Sequence, residues 1–212
     1  MEPLNVNDDM QEGGTRRNGR ASRLTLLCRG ATASSRLSRL SSDEPLLPKE
    51  ALRARLLAGR LRASDAVFSA PEIAARETAA FLSAAPAPCD ALRDVDYGRW
   101  NGRRIDEIAA EDPSGLQEWI TDPASAPHGG ESFEAVRARC AAWLDGQHGA
   151  GGHRLAVTHA VVLKIVLAHV LQAPLTAVWR ADVEPLGLMT LTSDGRRWAL
   201  RFFGAHPDPA SG

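Results

Sequence analysis

Lysine is almost missing from this chain of 212 residues: only Lys49 and Lys164 stand among its 25 basic residues, and the formal net charge is -1. A near-neutral chain lacks the electrostatic footprint that binding a phosphate backbone needs, so nucleic acid is not an expected partner. The dominance of arginine reads as codon bias, not as a selected basic surface. Cysteine is scarce too. Cys28, Cys89 and Cys140 are odd in number and show neither C-x-x-C spacing nor a cluster with histidine at zinc-ligand spacing. A reducing cytoplasm suits them, and no metal is expected. Long hydrophobic runs are absent as well. The longest, residues 160–171, is interrupted by Lys164 and His169 and falls short of the roughly 18 apolar residues that cross a bilayer, so no membrane partner is expected. Residues 1–22 mix acids, glycines and arginines without the apolar centre of a signal peptide, and read as a disordered extension.

What is present is enough apolar material, 44% of the chain, for one core. The expected division is one domain over 23–204 with a tail at 205–212. Residues 24–28, 66–69 and 155–158 are short apolar runs of the kind that form buried strands of a parallel sheet. Residues 131–147 read as a helix, because Phe133, Val136, Cys140 and Trp143 recur at three- and four-residue steps. Residues 160–172 form a second helix whose polar members, Lys164, His169 and Gln172, fall within an arc of about 140°. Near the end, residues 186–192 and 197–203 flank Asp194-Gly195, a hairpin signal. The fold class predicted is therefore α/β: three layers, a mainly parallel sheet flanked by helices, and a C-terminal antiparallel hairpin. Prolines at 86, 88, 113, 123 and 127 cut the long insertion between the second and third runs into loops and short helices that can cap a site.

In such a sheet, ligands bind beyond the carboxyl ends of the parallel strands. Arg29 and His159 follow directly on two of the runs, each before a small residue, Gly30 or Ala160, that lets backbone approach an anion. The helix starting after His159 offers free N–H groups at its amino end. Taken alone, His159 also fits a buried core histidine.

Leu-Thr-Leu-Leu-Cys-Arg-Gly-Ala-Thr (residues 24–32) resembles the first strand and R-H-G-x-T motif of the histidine phosphatase (phosphoglycerate-mutase-like) superfamily. Residue by residue, Cys28 stands at the family's arginine, Arg29 at its nucleophilic histidine and Thr32 at its threonine. Residues 69–79 are similar to S-x-P-x-x-R-A-x-x-T-A, with Ala74 at the phosphate-binding arginine; Arg76, two helical positions on, is rotated by roughly 200°. Residues 92–102 resemble L-x-E-x-x-x-G-x-W-E-G, which puts Asp94 at the proton donor, ahead of its competitor Asp96. Gly-Gly-Glu131-Ser with Arg139 matches a further element, in which Glu131 orients the pocket, and Val157-Thr158-His159 matches the second catalytic histidine. The chain is similar to the shorter phosphatase members, with no added mutase elements.

The resemblance implies a phosphohistidine mechanism in which the first histidine attacks phosphorus, arginines and the second histidine stabilise the phosphoryl oxygens, and an acid protonates the leaving oxygen. Arg29 breaks it, because a guanidinium has five donors and no lone pair. The expected catalytic set is thus Asp94, His159 and Arg29 at the nucleophile's position. The phosphate-binding set is Arg29 and His159, with Cys28 and Ala74 at lost arginine positions, and Thr32 and Glu131 in support. Two alternative nucleophiles stay open: a Cys28 thiolate lowered in pKa by Arg29, and His159 itself. The C-x-x-x-x-x-R spacing of cysteine-dependent tyrosine phosphatases would need arginine at position 34 and finds Ser34, with Arg36 two residues late. The expected function is a catalytically impaired relative that binds a small phosphorylated metabolite, inorganic phosphate or a protein partner. The alternative is an active phosphomonoesterase with rerouted chemistry. No cofactor is implied. Trp100 and Trp119 are expected in core or cap packing, and His128, His148, His153, His169 and His206 outside the chemistry.

Overall fold

The computed structural model describes residues 21–41 and 43–204; the extension over 1–20, the tail over 205–212 and His206 lie outside the described residues. Strand β1 (Ser22–Cys28) starts one residue inside the expected extension. It lies between β4 (Gly152–Thr158), parallel to it, and β5 (Leu188–Ser193), antiparallel to it. A strand covered on both edges and both faces needs apolar side chains in both directions, which is why Leu24, Leu26 and Leu27 are all buried. Strand β2 (Ala66–Ser69) pairs parallel with β4, and the two-residue β3 (Ala87–Pro88) extends that edge. Strand β6 (Trp198–Gly204) closes the other edge, giving the order β3-β2-β4-β1-β5-β6. The three-layer, mainly parallel α/β architecture is as predicted. The hairpin turns where Asp194-Gly195 placed it, with Gly195 at φ 92° and the Asp194 carboxylate accepting from the N–H groups of Arg196 and Arg197.

Between strands run α1 (Ala33–Arg36), α2 (Pro48–Ala58), α3 (Ile73–Ala80), α4 (Ile105–Glu111), α5 (Pro113–Thr121), α6 (Phe133–Asp145) and α7 (Ala160–Val170). No described helix is long and apolar enough to cross a membrane. Helix α6 is shorter than its pattern at both ends. Ser132 caps it, accepting from the Ala135 N–H at 3.2 Å, and Gly146 follows its last turn. Its buried face is Phe133, Val136, Cys140 and Leu144, while Trp143 leans edge-on against Phe68 at 5.7 Å. Helix α7 ends before Gln172, whose φ of 53° takes it out of the helix.

The insertion after β2 folds as a cap around an aromatic cluster. Trp119 stands edge-on to Tyr97, Trp100 and Trp179 at 5.9, 5.8 and 4.8 Å, and packs on Phe133 at 5.3 Å. Trp100 and Trp119 are therefore packing residues, as expected. Two loops of this cap cross at their backbones. Gly98 has φ 47°, and a Cβ there would overlap the His128 carbonyl oxygen, as one at Gly130 would overlap that of Asp96. That crossing fixes the segment carrying Asp94.

Candidate functional site

Strand register builds the site. Cys28 pairs with Thr158, so the next residues, Arg29 and His159, emerge side by side at the carboxyl ends of β1 and β4. The Arg29 N–H donates to the Thr158 carbonyl at 2.8 Å, and Arg29 Nε lies 3.3 Å from His159 Nδ1. The cap adds Asp94, whose Oδ2 is 3.3 Å from the same Nδ1. Thr158 Oγ1 donates to the Leu92 carbonyl at 2.6 Å and ties the cap to the strand end. The fourth member is Glu72, at the N-cap of α3 just past β2: one oxygen takes His159 Nε2 at 2.8 Å and the other accepts from the Asp94 N–H at 2.9 Å. Sequence reasoning missed Glu72. The rule that selected Arg29 and His159, a polar residue directly past a strand's carboxyl end, meets Ala70 after β2, and Glu72 stands three positions past Ser69.

A ring nitrogen cannot donate to a carboxylate and accept from a guanidinium at once, so the two contacts of Nδ1 belong to two protonation states. Burial opposes charge on His159, but Asp94 and Glu72 outweigh it and hold the imidazole's pKa up at about 9. At neutral pH both ring nitrogens therefore carry protons, Nε2–H donating to Glu72 and Nδ1–H to Asp94. The carboxylates respond in kind. Burial would raise both, yet His159 draws Asp94 and Glu72 below the usual carboxylate range.

The remaining predicted residues divide. Cys28 is buried at the end of β1, and that burial pushes its thiol up to about 12 against the pull of Arg29. The thiolate considered from sequence is thereby corrected: desolvation exceeds the neighbouring charge. Ala74 is buried in α3, and Arg76 is exposed, turned away as its helical position requires. Thr32 is no direct member of the cluster. It caps α1, accepting from the Ser35 N–H at 3.3 Å. Glu131 lies before the α6 cap, not within the helix, so its partners are two arginine side chains and the Asp96 N–H and not the helix dipole. It bridges Arg93 Nη2 at 2.6 Å and Arg139 Nε at 3.0 Å. Arg139 in turn donates to the Ala91 and Asp94 carbonyls at 2.8 and 3.1 Å, which positions the Asp94 segment. Gly30 also serves another purpose than the one read from sequence: a Cβ there would meet Leu46 Cδ2 at 2.9 Å and Glu50 Cβ at 3.3 Å, so the glycine admits α2 and not a ligand.

Two pockets border the cluster. Glu72, Asp94, Asp96 and Asp43 line one of about 520 Å³, and Arg29, Arg36 and Arg53 line another of about 500 Å³. Among the described residues no group of histidine, cysteine and carboxylate side chains has the arrangement of a metal site.

This architecture, with charged side chains gathered at the ends of β1, β2 and β4 under a helical cap, is the phosphoglycerate-mutase-like α/β fold. The chain belongs to the histidine phosphatase superfamily (branch 1), whose profile matches residues 24–206. It is 31% identical over 198 residues to a bifunctional protein of Mycobacterium tuberculosis, a match covering 86% of this chain and 54% of that one. The chain thus spans about half the length of that curated relative. It is 23% identical to phosphoserine phosphatase 1 of Hydrogenobacter thermophilus over 73% of this chain and 78% of the other. Among solved structures, mycobacterial glucosyl-3-phosphoglycerate phosphatase superposes with a TM-score of 0.76 at 25% identity, over 88% of this chain and 100% of that one.

Proposed function

We propose that this chain binds a small phosphorylated anion without forming a phosphohistidine, as a catalytically impaired member of its superfamily. One observation carries the reading: no candidate nucleophile offers a free lone pair at neutral pH. Arg29 is a guanidinium, which has none. Cys28 remains a thiol, with its pKa pushed up to about 12. His159, at about 9, donates through both nitrogens to Glu72 and Asp94. Asp94 is held ionised by His159, whereas a resting general acid must carry its proton. The names of the phosphoserine and glucosyl-3-phosphoglycerate phosphatases support a small phosphorylated metabolite as the ligand class. Arg29 favours such an anion over a protein partner. Three cysteines without disulfides agree with a cytoplasmic setting.

A second reading, an active phosphatase with rerouted chemistry, draws on the contact between Asp94 and His159, since an acid and a phosphate-facing histidine belong together in the family. Hydrolysis of an aryl phosphate by the purified chain decides between the two. The expected result is no turnover above background, with turnover raised about a hundredfold or more in a Cys28→Arg, Arg29→His, Ala74→Arg triple variant, the scale of one restored charge stabiliser. Turnover by the unaltered chain would overturn the non-catalytic reading.

A further inference from the structure

Three arginines converge on the pocket of about 500 Å³, together with Cys28, Ala160 and Val183. Two of them, Arg36 on α1 and Arg53 on α2, lie outside every motif that carries the family resemblance. Both reach one carboxylate. Glu50 is fully buried; it accepts from Arg53 Nη1 at 2.9 and 3.1 Å and stands 3.7 Å from Arg36 Nη2. The arginine side chains themselves are 50% and 53% exposed and line the pocket. Arg29 donates through Nη1 to its neighbour's carbonyl, and its Nη2 has no protein partner among the described residues.

One carboxylate among three guanidiniums leaves two positive charges, which suits a dianion with several acceptor oxygens. The amino end of α7 opens on the same wall through Ala160, and no side chain caps it. The neighbouring pocket has the opposite lining. Its four carboxylates, Glu72, Asp94, Asp96 and Asp43, outnumber its one cation, Arg93, and would repel the same anion.

We propose that Arg36 and Arg53, held in place by the buried Glu50, take over the role of the arginines missing at positions 28 and 74 and, with Arg29, bind a phosphomonoester dianion. This rests on the reading that the protein takes a phosphorylated anion, and adds which residues hold it. Glu50 is a positioning residue: it touches no ligand and sets where two guanidinium forks stand. Gly30 makes that placement available, because it lets the Glu50 Cβ come within 3.3 Å of where its own would lie.

Calorimetric titration of the full chain with inorganic phosphate and with phenyl phosphate tests the proposal, thermal unfolding serving as the check on folding. Both probes bind, more weakly as salt is added. Arg36→Met and Arg53→Met each weaken binding about tenfold, the scale of one charge-assisted contact, and both remain folded at the titration temperature; Arg53→Met also lowers the unfolding midpoint, because it removes the donor to the buried Glu50 carboxylate. Glu50→Gln weakens binding too, although it makes the pocket more positive. Folded arginine variants that bind like the parent would overturn the site, and tighter binding by Glu50→Gln would overturn the positioning role. Should Glu50→Gln not fold, the two arginine variants decide. A parent chain that binds neither probe refutes the pocket while leaving the absence of hydrolysis intact. Turnover of phenyl phosphate combined with arginine-dependent binding sinks the non-catalytic reading and keeps the pocket.

Discussion

The two pockets lined by the neighbours of His159 are similar in size and opposite in net charge, one walled by Glu72, Asp94, Asp96 and Asp43 with Arg93, and the other by Arg29, Arg36 and Arg53. Both draw on the same device, polar side chains placed past the ends of parallel strands. The difference lies in what each does to the histidine between them. The acidic side supplies two acceptors, Glu72 at 2.8 Å and Asp94 at 3.3 Å, and so fixes a proton on each ring nitrogen. The basic side supplies a cation, Arg29, which would favour the neutral ring. The acidic side wins, and His159 becomes a buried cation held by carboxylates. Two carboxylates thus outweigh burial and one guanidinium in setting the charge of the ring.

The strongest way to break that contrast is to neutralise the acidic side. In a Glu72→Gln, Asp94→Asn variant, burial and Arg29 act on His159 unopposed. Its titration, followed by NMR of the imidazole, should move from about 9 to below the ordinary 6.5. Stability at pH 7 should fall by no more than about 3 kcal/mol in urea, the pairing that the raised pKa represents, because the ring becomes neutral and leaves no unpaired charge. A histidine still titrating near its original value would show that the carboxylates do not hold the proton.

The parent protein carries the same information in its pH dependence. A histidine whose pKa is raised by folding contributes stability that is complete below its unfolded value and lost as pH climbs through the folded one. For His159 that window runs from 6.5 to about 9. Each unit is about 1.4 kcal/mol, so on the order of 3 kcal/mol should disappear across it. Asp94 and Glu72 are lowered by the same histidine, so their contribution is present above their ordinary values and is lost as pH falls below them. It is one interaction seen from its two ends, and the two losses do not add. Stability flat from pH 6.5 to 9 would mean that His159 is not the proton holder.

Much of this molecule was legible in its sequence because strand cores and strand ends obey short-range rules. The apolar runs at 24–28, 66–69 and 155–158 became β1, β2 and β4, and register alone then set Arg29 beside His159. The hairpin followed from Asp194-Gly195. What escaped was set at long range. Glu72 owes its role to a cap segment that delivers Asp94 from 22 positions away. The Cys28 pKa depends on how deeply the strand end is buried, which an adjacent arginine in the sequence does not reveal. Gly30 faces α2 and not a ligand for the same reason: its neighbour is chosen by packing.

A smaller effect separates position from charge on the acidic side. Arg139 touches neither His159 nor the Asp94 carboxylate, yet it donates to the Asp94 and Ala91 carbonyls and pairs with Glu131. Arg139→Met should cost about 2 kcal/mol in urea unfolding, the scale of lost hydrogen bonds to a partly buried charge. It should also lower the His159 pKa by loosening Asp94, while Glu72 keeps it above 6.5. An unchanged His159 titration would make Arg139 a structural residue alone.

The smallest expected effect belongs to Arg76, and it bears on whether the basic pocket is a site or a general field. Arg76 stands two residues from Ala74, close to a family arginine position in sequence, yet it is exposed on α3 and does not line the pocket. If phosphate affinity came from the summed positive charge of this end of the molecule, Arg76→Ala would weaken binding as Arg53→Met does. Charges on an exposed helix face are separated from the pocket by water and salt, and beyond about 8 Å at physiological ionic strength they are largely screened. Arg76→Ala should therefore leave both phosphate affinity and the unfolding midpoint where they are. A loss comparable to that of Arg53→Met would replace three placed guanidiniums with a diffuse positive surface, and with it the sharp division between the two sides of His159.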